Sequence, residues 1–177
     1  MAQTAGTVVG VNGNMVSVKV DGEVSLNEVG YVVVGDKRLK SEVIRIRGDQ
    51  AEIQVFEMTR GVGVGDPVEF TEEMLAVEVG PGLLGKVYDG LQNPLPELAE
   101  ESGFFLERGL YLEALDTTQK WHFTPKASNG DRVTAGDTLG SVPEGIFEHR
   151  IMVPFGMQGS YTVKSVVPEG DYVITDT

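Results

Sequence analysis

Residues 79–90 read Val-Gly-Pro-Gly-Leu-Leu-Gly-Lys-Val-Tyr-Asp-Gly and divide the sequence into two parts of different character. Before them, short runs rich in valine and isoleucine alternate with turn residues. After them comes a short helical pattern, followed by a second set of strand-like runs. Within the stretch, Gly80 to Lys86 fits the first seven positions of the phosphate-binding sequence G-x-x-x-x-G-K-[ST]. The stretch is therefore either a nucleotide site or a hinge.

The near-match lacks two features that phosphate binding requires. A working loop of this kind continues with a serine or threonine that holds Mg²⁺, and a helix begins at its lysine. Here the next residue is Val87, and the residues up to Pro94 contain glycine and proline, which do not start a helix. We therefore interpret Gly80–Lys86 as a decoy, a hinge followed by a strand from Leu84 to Tyr88. The hinge residues are Gly80, Pro81 and Gly82.

The part before the loop has the pattern of short strands joined by tight turns. Alternation with period two, typical of a half-buried strand, is clear at Val16, Val18 and Val20. It also places Ile44 and Ile46 on one face of their strand. The predicted strands are residues 6–11, 16–20, 31–34, 43–47, 51–56 and 68–70. Six short strands with regularly spaced turns predict a small closed barrel over residues 1–78, because closure removes exposed sheet edges.

The part after the loop begins with a helical pattern and then returns to strands. Asn93-Pro94 can cap and start a helix that ends at Gly103, only about two turns long. From Leu110 onwards the runs are strand-like again. Their predicted tight turns share a Gly-Asp pair, at Gly130-Asp131, Gly136-Asp137 and Gly170-Asp171.

The predicted fold class is mainly β. A six-stranded N-terminal barrel is followed by a connector with one short helix over residues 79–117. A second β-module, built from hairpins like a barrel-sandwich, occupies residues 118–177.

Composition excludes several classes of function. With 41% hydrophobic and 23% charged residues, the 177-residue chain is expected to fold as a soluble globular protein. A net charge of -13 disfavours binding to nucleic acid or to anionic membrane surfaces. The absence of cysteine excludes disulfides and thiolate metal sites. Met1 to Thr4 show no secretory signal and no apolar run is long enough to span a bilayer, so we expect a cytoplasmic protein.

Few side chains are candidates for chemistry. His122 and His149 are isolated in the sequence, and we expect ordinary surface or core residues rather than a metal or catalytic site. Trp121 and Phe123 alternate around His122 and could be anchors of an interface, although a role in the core of the second module is favoured. The possible interface residues are Trp121, Phe123, His149 and Arg150. No catalytic residue is predicted.

Two stretches resemble a known family. Residues 80–95 resemble the beginning of the nucleotide-binding domain of rotary ATPase catalytic subunits, most closely the catalytic (alpha) chain of the V-type/archaeal-type (V/A-type) ATPases. The later stretch is similar to the region inserted in that catalytic chain. It includes Lys120-Trp121-His122-Phe123-Thr124-Pro125, Val142-Pro143-Glu144, His149-Arg150-Ile151-Met152-Val153-Pro154 and Glu169-Gly170-Asp171-Tyr172. The resemblance begins near Gly6 and covers almost the whole chain.

The resemblance implies an N-terminal fragment of a longer catalytic chain, with the β-barrel and the inserted "bulge". In the family, the true P-loop, the catalytic glutamate and the adenine contacts follow the equivalent of Asp171, so no family catalytic residue is transferred to this sequence. The fragment is expected to lack cofactors, with ATP and Mg bound elsewhere in the parent. The parent couples ATP hydrolysis or synthesis to proton or sodium transport at the membrane surface.

The same resemblance implies partners. They are the beta (B-type) chains and further copies of the catalytic chain, which alternate in a hexameric ring, together with the proteins of the peripheral stalk. The fragment itself is expected to be inactive and to serve assembly and stalk contacts, without inserting into the membrane.

Two alternatives remain open. Residues 125–173 also resemble a biotinyl or lipoyl carrier domain, but residues 143–152, where the carrier lysine would stand, contain no lysine. The other alternative is a free-standing β-rich interaction module.

Overall fold

The computed structural model describes residues 4–103 and 105–176. The chain forms two compact units. One unit extends to Val77 and includes Pro96–Leu112, and the other contains Glu78–Leu95 and the residues from Glu113 onwards. The predicted limits of barrel, connector and second module remain a prediction. Residues 1–3, in the segment predicted to hold no secretory signal, lie outside the described ranges.

Among the described residues of the first unit, six antiparallel strands close into a barrel. They are β1 (Ala5–Asn12), β2 (Met15–Asp21), β3 (Glu28–Val34), β4 (Lys37–Arg47), β5 (Gln50–Val55) and β6 (Pro67–Met74). Their order around the barrel is β1-β2-β5-β4-β3-β6, and β1 closes the barrel by pairing with β6. The prediction of a mainly β chain with a six-stranded barrel is confirmed.

Alternate residues of these strands fill the barrel, as the period-two pattern predicts. Phe70 on β6 is the largest of the fully buried side chains. Its ring lies against Gly30 on β3 and Gly6 on β1, where an added Cβ would come within 3.0 and 3.2 Å of ring atoms. Two polar side chains of the described barrel strands are also buried, Ser41 and Glu28. The Ser41 hydroxyl donates a 2.8 Å hydrogen bond to the carbonyl of Gly30, and the Glu28 carboxylate accepts hydrogen bonds from backbone amides. The barrel core is therefore close-packed, with both polar side chains paired.

A β-bulge in β4 interrupts the predicted alternation of its side chains between the two faces of the strand. Ile44 and Ile46 are 41% and 38% exposed, so neither lies in the buried core. The register with β5 shifts between Val43 and Arg45, because the bulge inserts one extra residue and breaks the alternation there. The buried residue of this stretch is Val43.

Residues 105–112, here called the return segment, bind back to the barrel unit. The Tyr111 hydroxyl accepts a 2.7 Å hydrogen bond from the amide of Lys40 and donates one of 2.8 Å to the Glu57 carboxylate. Burial is the main cause that raises the pKa of Tyr111, and the neighbouring Glu57 raises it further. Glu57 also accepts from the amide of Gly109, and Arg108 donates to backbone carbonyls of the loop after β5. These bonds explain why the return segment groups with the barrel.

The short helix, α1, spans Leu95–Ser102. Gly103 follows its last residue, as the sequence predicts for a stop, and has a φ of 69°, the left-handed conformation usual after a helix. The start differs from the prediction, since the helix begins two residues after Asn93. The Asn93 backbone amide and side chain donate instead to the Asp89 carboxylate, at 2.8 Å each, and shape the preceding turn.

The second unit contains six further strands among its described residues. They are β7 (Trp121–Pro125), β8 (Arg132–Val133), β9 (Thr138–Glu144), β10 (Phe147–Met152), β11 (Tyr161–Thr162) and β12 (Gly170–Tyr172). Four of them form a sheet in the order β10-β9-β7-β12, and β11 pairs with β8.

Two of the three predicted Gly-Asp turns are present. Asp131 and Asp137 each accept a 2.7 Å hydrogen bond from the amide three residues earlier, and each turn leads directly into a strand. The third prediction is wrong, because Gly170-Asp171 lies within β12, where Asp171 stands opposite His122 of β7. Cross-strand pairing there holds the pair in extended backbone rather than in a turn.

Candidate functional site

The glycine loop, defined as residues 80–86, consists of consecutive turns. Gly82 and Gly85 have φ values of 102° and 82°, which side-chain-bearing residues rarely adopt. The strand predicted from Leu84 to Tyr88 is wrong, since those residues make turns and a single bridge from Tyr88 to Pro94. The left-handed Gly85 interrupts the extended conformation that a strand needs.

The glycine loop closes around a carboxylate of its own unit. The Oε1 atom of Glu144, at the end of β9, accepts hydrogen bonds from the amides of Gly82 at 2.6 Å and Leu84 at 3.1 Å. Two amides converging on one anion are the kind of arrangement that binds phosphate in glycine-rich loops. Here the anion is internal, which supports interpreting Gly80–Lys86 as a decoy.

A histidine completes the surroundings of Glu144. Nδ1 of His149, on β10, lies 2.8 Å from Oε2 of Glu144, whose side chain is only 7% exposed. Burial alone would raise the pKa of Glu144, but the bonds from the two loop amides and from His149 outweigh it and lower the pKa. The carboxylate is thus held in its charged form and fixes the loop to the β9–β10 hairpin.

Replacing Glu144 with glutamine is expected to lower the free energy of unfolding of the second unit by about 1–2 kcal/mol at neutral pH. The reason is that charge-assisted hydrogen bonds become neutral ones. A group with a lowered folded-state pKa stabilises above its ordinary pKa, and this stabilisation is lost as the pH falls through the folded pKa. The difference between wild type and variant should therefore shrink in acid.

Urea unfolding followed by fluorescence of Trp121, the single tryptophan, at about pH 7 and about pH 3 measures both effects. The exposed Glu113 gives a matched control, Glu113→Gln, which should change stability by less than about 0.5 kcal/mol. Equal losses in the two variants would contradict the role assigned to Glu144.

The predicted interface residues lie in the second unit, in different surroundings. Trp121 is half-buried, and a Cβ added at Gly82 would come within 3.3 Å of its ring. Its indole Nε1 is buried and finds no hydrogen-bond partner among the described residues. Phe123 packs edge-on against Tyr172, with 6.3 Å between the ring centroids. Both aromatic residues thus pack within their own unit, which favours the core interpretation.

The other two predicted interface residues are neighbours on β10. His149 is partly buried and bonded to Glu144, whereas Arg150 is exposed. Arg150 is therefore the member of the set that a partner could contact without disturbing the unit. An interface role for these residues stays a prediction.

His122 is not the isolated side chain that the sequence suggests. Its Nδ1 lies 2.8 Å from Asp171 and its Nε2 lies 3.1 Å from Glu169. The bond to Asp171, followed by the bond to Glu169, raises the pKa of His122 above its ordinary value. Sequence reasoning missed this cluster because its members are far apart in sequence and only the pairing of β12 with β7 brings them together. Within residues 4–103 and 105–176, no group of three or more histidine, cysteine, aspartate or glutamate side chains is arranged so that it could hold a metal ion, and this includes the His122 cluster.

The described residues also include no helix that is both long and apolar enough to cross a membrane.

Two family models match the chain. The beta-barrel domain of the ATP synthase alpha/beta family matches residues 8–72, which contain β2 to β5 and most of β1 and β6. The barrel-sandwich domain of the ATP synthase alpha/beta subunit matches residues 112–177.

Relatives extend the similarity across the whole chain. The V-type ATP synthase alpha chain of Treponema denticola is 66% identical over 177 residues, which are 100% of this chain and 30% of the relative. Alpha chain 1 of Treponema pallidum is 63% identical over 176 residues, covering 99% of this chain and 30% of the relative. The alpha chain of Borrelia hermsii is 57% identical over 174 residues, covering 98% of this chain and 30% of the relative. The chain thus spans about a third of the length of these relatives, and it belongs to the ATP synthase alpha/beta family, with V-type ATP synthase alpha chains as its relatives.

Proposed function

We propose that the chain is the N-terminal part of the catalytic (alpha) chain of a rotary V/A-type ATPase, and that this part serves assembly rather than catalysis. The carrying observation is the similarity to V-type ATP synthase alpha chains, 66% identity over 177 residues, which runs through both units. The relatives' names describe an ATP synthase. The ATPase activity, coupled to proton or sodium transport, therefore belongs to the longer protein.

The glycine loop supports the proposal that this part of the protein serves assembly and that residues outside it carry out catalysis. Its amides at Gly82 and Leu84 are bonded to Glu144, and the residue after Lys86 is a valine. A phosphate at these amides would have to displace a buried carboxylate and would meet its negative charge. ATP and Mg are accordingly assigned to residues of the longer protein outside this chain.

The first test asks whether the 177-residue chain binds or hydrolyses ATP. Calorimetric titration with Mg-ATP and a phosphate-release assay are expected to give no heat of specific binding and no turnover. Glu144→Gln should behave in the same way, since the loop still lacks the serine or threonine that holds Mg²⁺. Turnover by the wild-type chain would contradict the assignment of catalysis to other residues.

The second test asks whether the chain binds other components of the complex. We propose that its partners are the beta (B-type) chain, further copies of the catalytic chain in a hexameric ring, and peripheral-stalk proteins, at the cytoplasmic side of the membrane. Capture by the purified beta chain or by stalk proteins is expected for the wild-type chain. If the β10 surface takes part, Arg150→Glu should weaken capture while Arg132→Glu, an exposed matched control on β8, should not. Failure to capture any of these components would contradict the proposal and favour the alternative of a free-standing β-rich interaction module.

The carrier alternative has a separate readout. A biotin adduct on Lys126 or Lys164, detected by intact mass and a streptavidin blot, would favour it over assembly. Lys126 already forms a 2.7 Å ion pair with Glu148, which does not suit an attachment lysine at a free hairpin tip.

A further inference from the structure

The edge strand β12 is attached to its sheet by few contacts. It comprises three residues, and within the described ranges β7 is the strand with which it pairs. The pairs are Gly170 with Phe123, Asp171 with His122, and Tyr172 with Trp121. A strand this short is opened easily, so individual side-chain contacts across the pair matter to whether it stays in the sheet.

His122 supplies such a contact at the central pair. One ring nitrogen bonds to Asp171, its cross-strand partner, and the other bonds to Glu169, the residue before β12. Ionised carboxylates accept hydrogen bonds and cannot donate them. Both ring nitrogens must therefore donate, which only the doubly protonated, positively charged imidazolium can do. The geometry around His122 is that of its charged form.

We propose that His122 is a pH-sensitive clasp, whose charged ring holds β12 on β7 and whose deprotonation loosens β12 from the sheet. A neutral ring donates to one carboxylate and leaves the other without its bond. Two adjacent negative charges then face each other without a cation between them. The consequence is local, because the side chains of the cluster are more than half exposed and exposed ion pairs contribute little to global stability.

The charges around His122 come from one side of β7. Asp171 and Glu169 face it from the β12 side. On the other side, β7 pairs with β9 through Thr124 opposite Ser141 and Pro125 opposite Gly140, none of which is charged. Lys126, just beyond β7, is engaged at 2.7 Å with Glu148 of β10. The two carboxylates thus dominate the titration of His122.

The sign of the pH effect follows from these charges. The two carboxylates raise the folded-state pKa of His122 above its ordinary 6.5. Stabilisation of the clasp is then fully present below pH 6.5 and is lost as the pH rises through the raised pKa. Loosening of β12 is expected on the alkaline side of neutrality.

Amide hydrogen exchange of the full 177-residue chain, followed by NMR, tests the clasp. Protection factors of Gly170 to Tyr172, corrected for the intrinsic pH dependence of exchange, should fall about two- to fivefold as the pH rises through the His122 titration. The titration itself is observed on the ring Cε1–H resonance. Amides of β2 in the barrel should show no step in the same range.

Three variants distinguish the clasp from a general pH effect. His122→Gln should show low protection of β12 without a step, and His122→Arg should show high protection without a step because arginine stays charged. His149→Gln leaves His122 as the single histidine and should retain the step. A wild-type profile that stays flat, or a step that survives in His122→Gln, would overturn the proposal.

Discussion

Replacing Phe70 with alanine is expected to lower the free energy of unfolding of the barrel by about 3–5 kcal/mol, the range typical of removing a buried aromatic side chain. Phe70 is fully buried and is the largest side chain of the barrel core. Its ring lies against Gly6 and Gly30, which have no side chains that could move into the cavity. The void should therefore persist, since the backbone of a closed barrel cannot collapse around it.

Urea unfolding followed by far-UV circular dichroism measures this loss, because most strand residues belong to the barrel. The exposed Val9 on β1 offers a matched control, and Val9→Ala should stay within about 0.5 kcal/mol of wild type. Phe70→Leu should lose less than Phe70→Ala, as it retains part of the buried volume. A loss below about 1 kcal/mol for Phe70→Ala would show that the barrel can repack at this position.

Replacing Gly140 with alanine is expected to destabilise the second unit by about 3 kcal/mol, at the upper end of the range for an overpacked core. An added Cβ would lie 2.2 Å from Cε2 of Phe123 and 2.9 Å from the backbone carbonyl of Thr124. The Phe123 ring could move aside, but the carbonyl belongs to β7, which pairs with Gly140 through Pro125. The cost should therefore persist in part after the ring is removed.

Trp121 lies two residues from Phe123, so its fluorescence during urea unfolding measures the loss in this unit. Gly156→Ala is the matched control, because an added Cβ there meets no atom within 4 Å. The double variant Gly140→Ala with Phe123→Leu should recover some of the stability and leave the contribution of the carbonyl. Equal denaturation midpoints for the two glycine variants would contradict the packing described for Gly140.

The barrel could be predicted from sequence to the extent that its strands alternate simply. Val16, Val18 and Val20 are all buried, as the alternation of β2 predicts. β4 shows the limit, because it begins at Lys37, well before the predicted start at Val43. Its early part is polar, and its buried Ser41 carries a hydroxyl paired with the carbonyl of Gly30. Local hydropathy does not reveal a polar core residue whose partner lies on another strand.

Less of the arrangement of the second unit could be predicted from the sequence. That the glycine loop does not lead into a helix could be predicted, because glycine and proline occur in the residues up to Pro94. Its contact with Glu144 could not, because 62 residues separate Gly82 from that carboxylate. The cluster of His122 with Asp171 likewise depends on the register of β12, a strand too short to leave a periodic pattern. A local sequence pattern does not show which short elements pair when they are far apart in the chain.

The return segment has a consequence for the order of events during synthesis. Tyr111, through its hydroxyl, joins the amide of Lys40 to the carboxylate of Glu57, so the barrel unit receives its last bonds from residues made well after β6. At a translation rate of about 5–20 residues per second, Tyr111 is synthesised a few seconds after β6. During that interval Lys40 and Glu57 lack their Tyr111 partner. A ribosome-bound barrel should thus be less resistant to protease before Tyr111 emerges from the exit tunnel than after it.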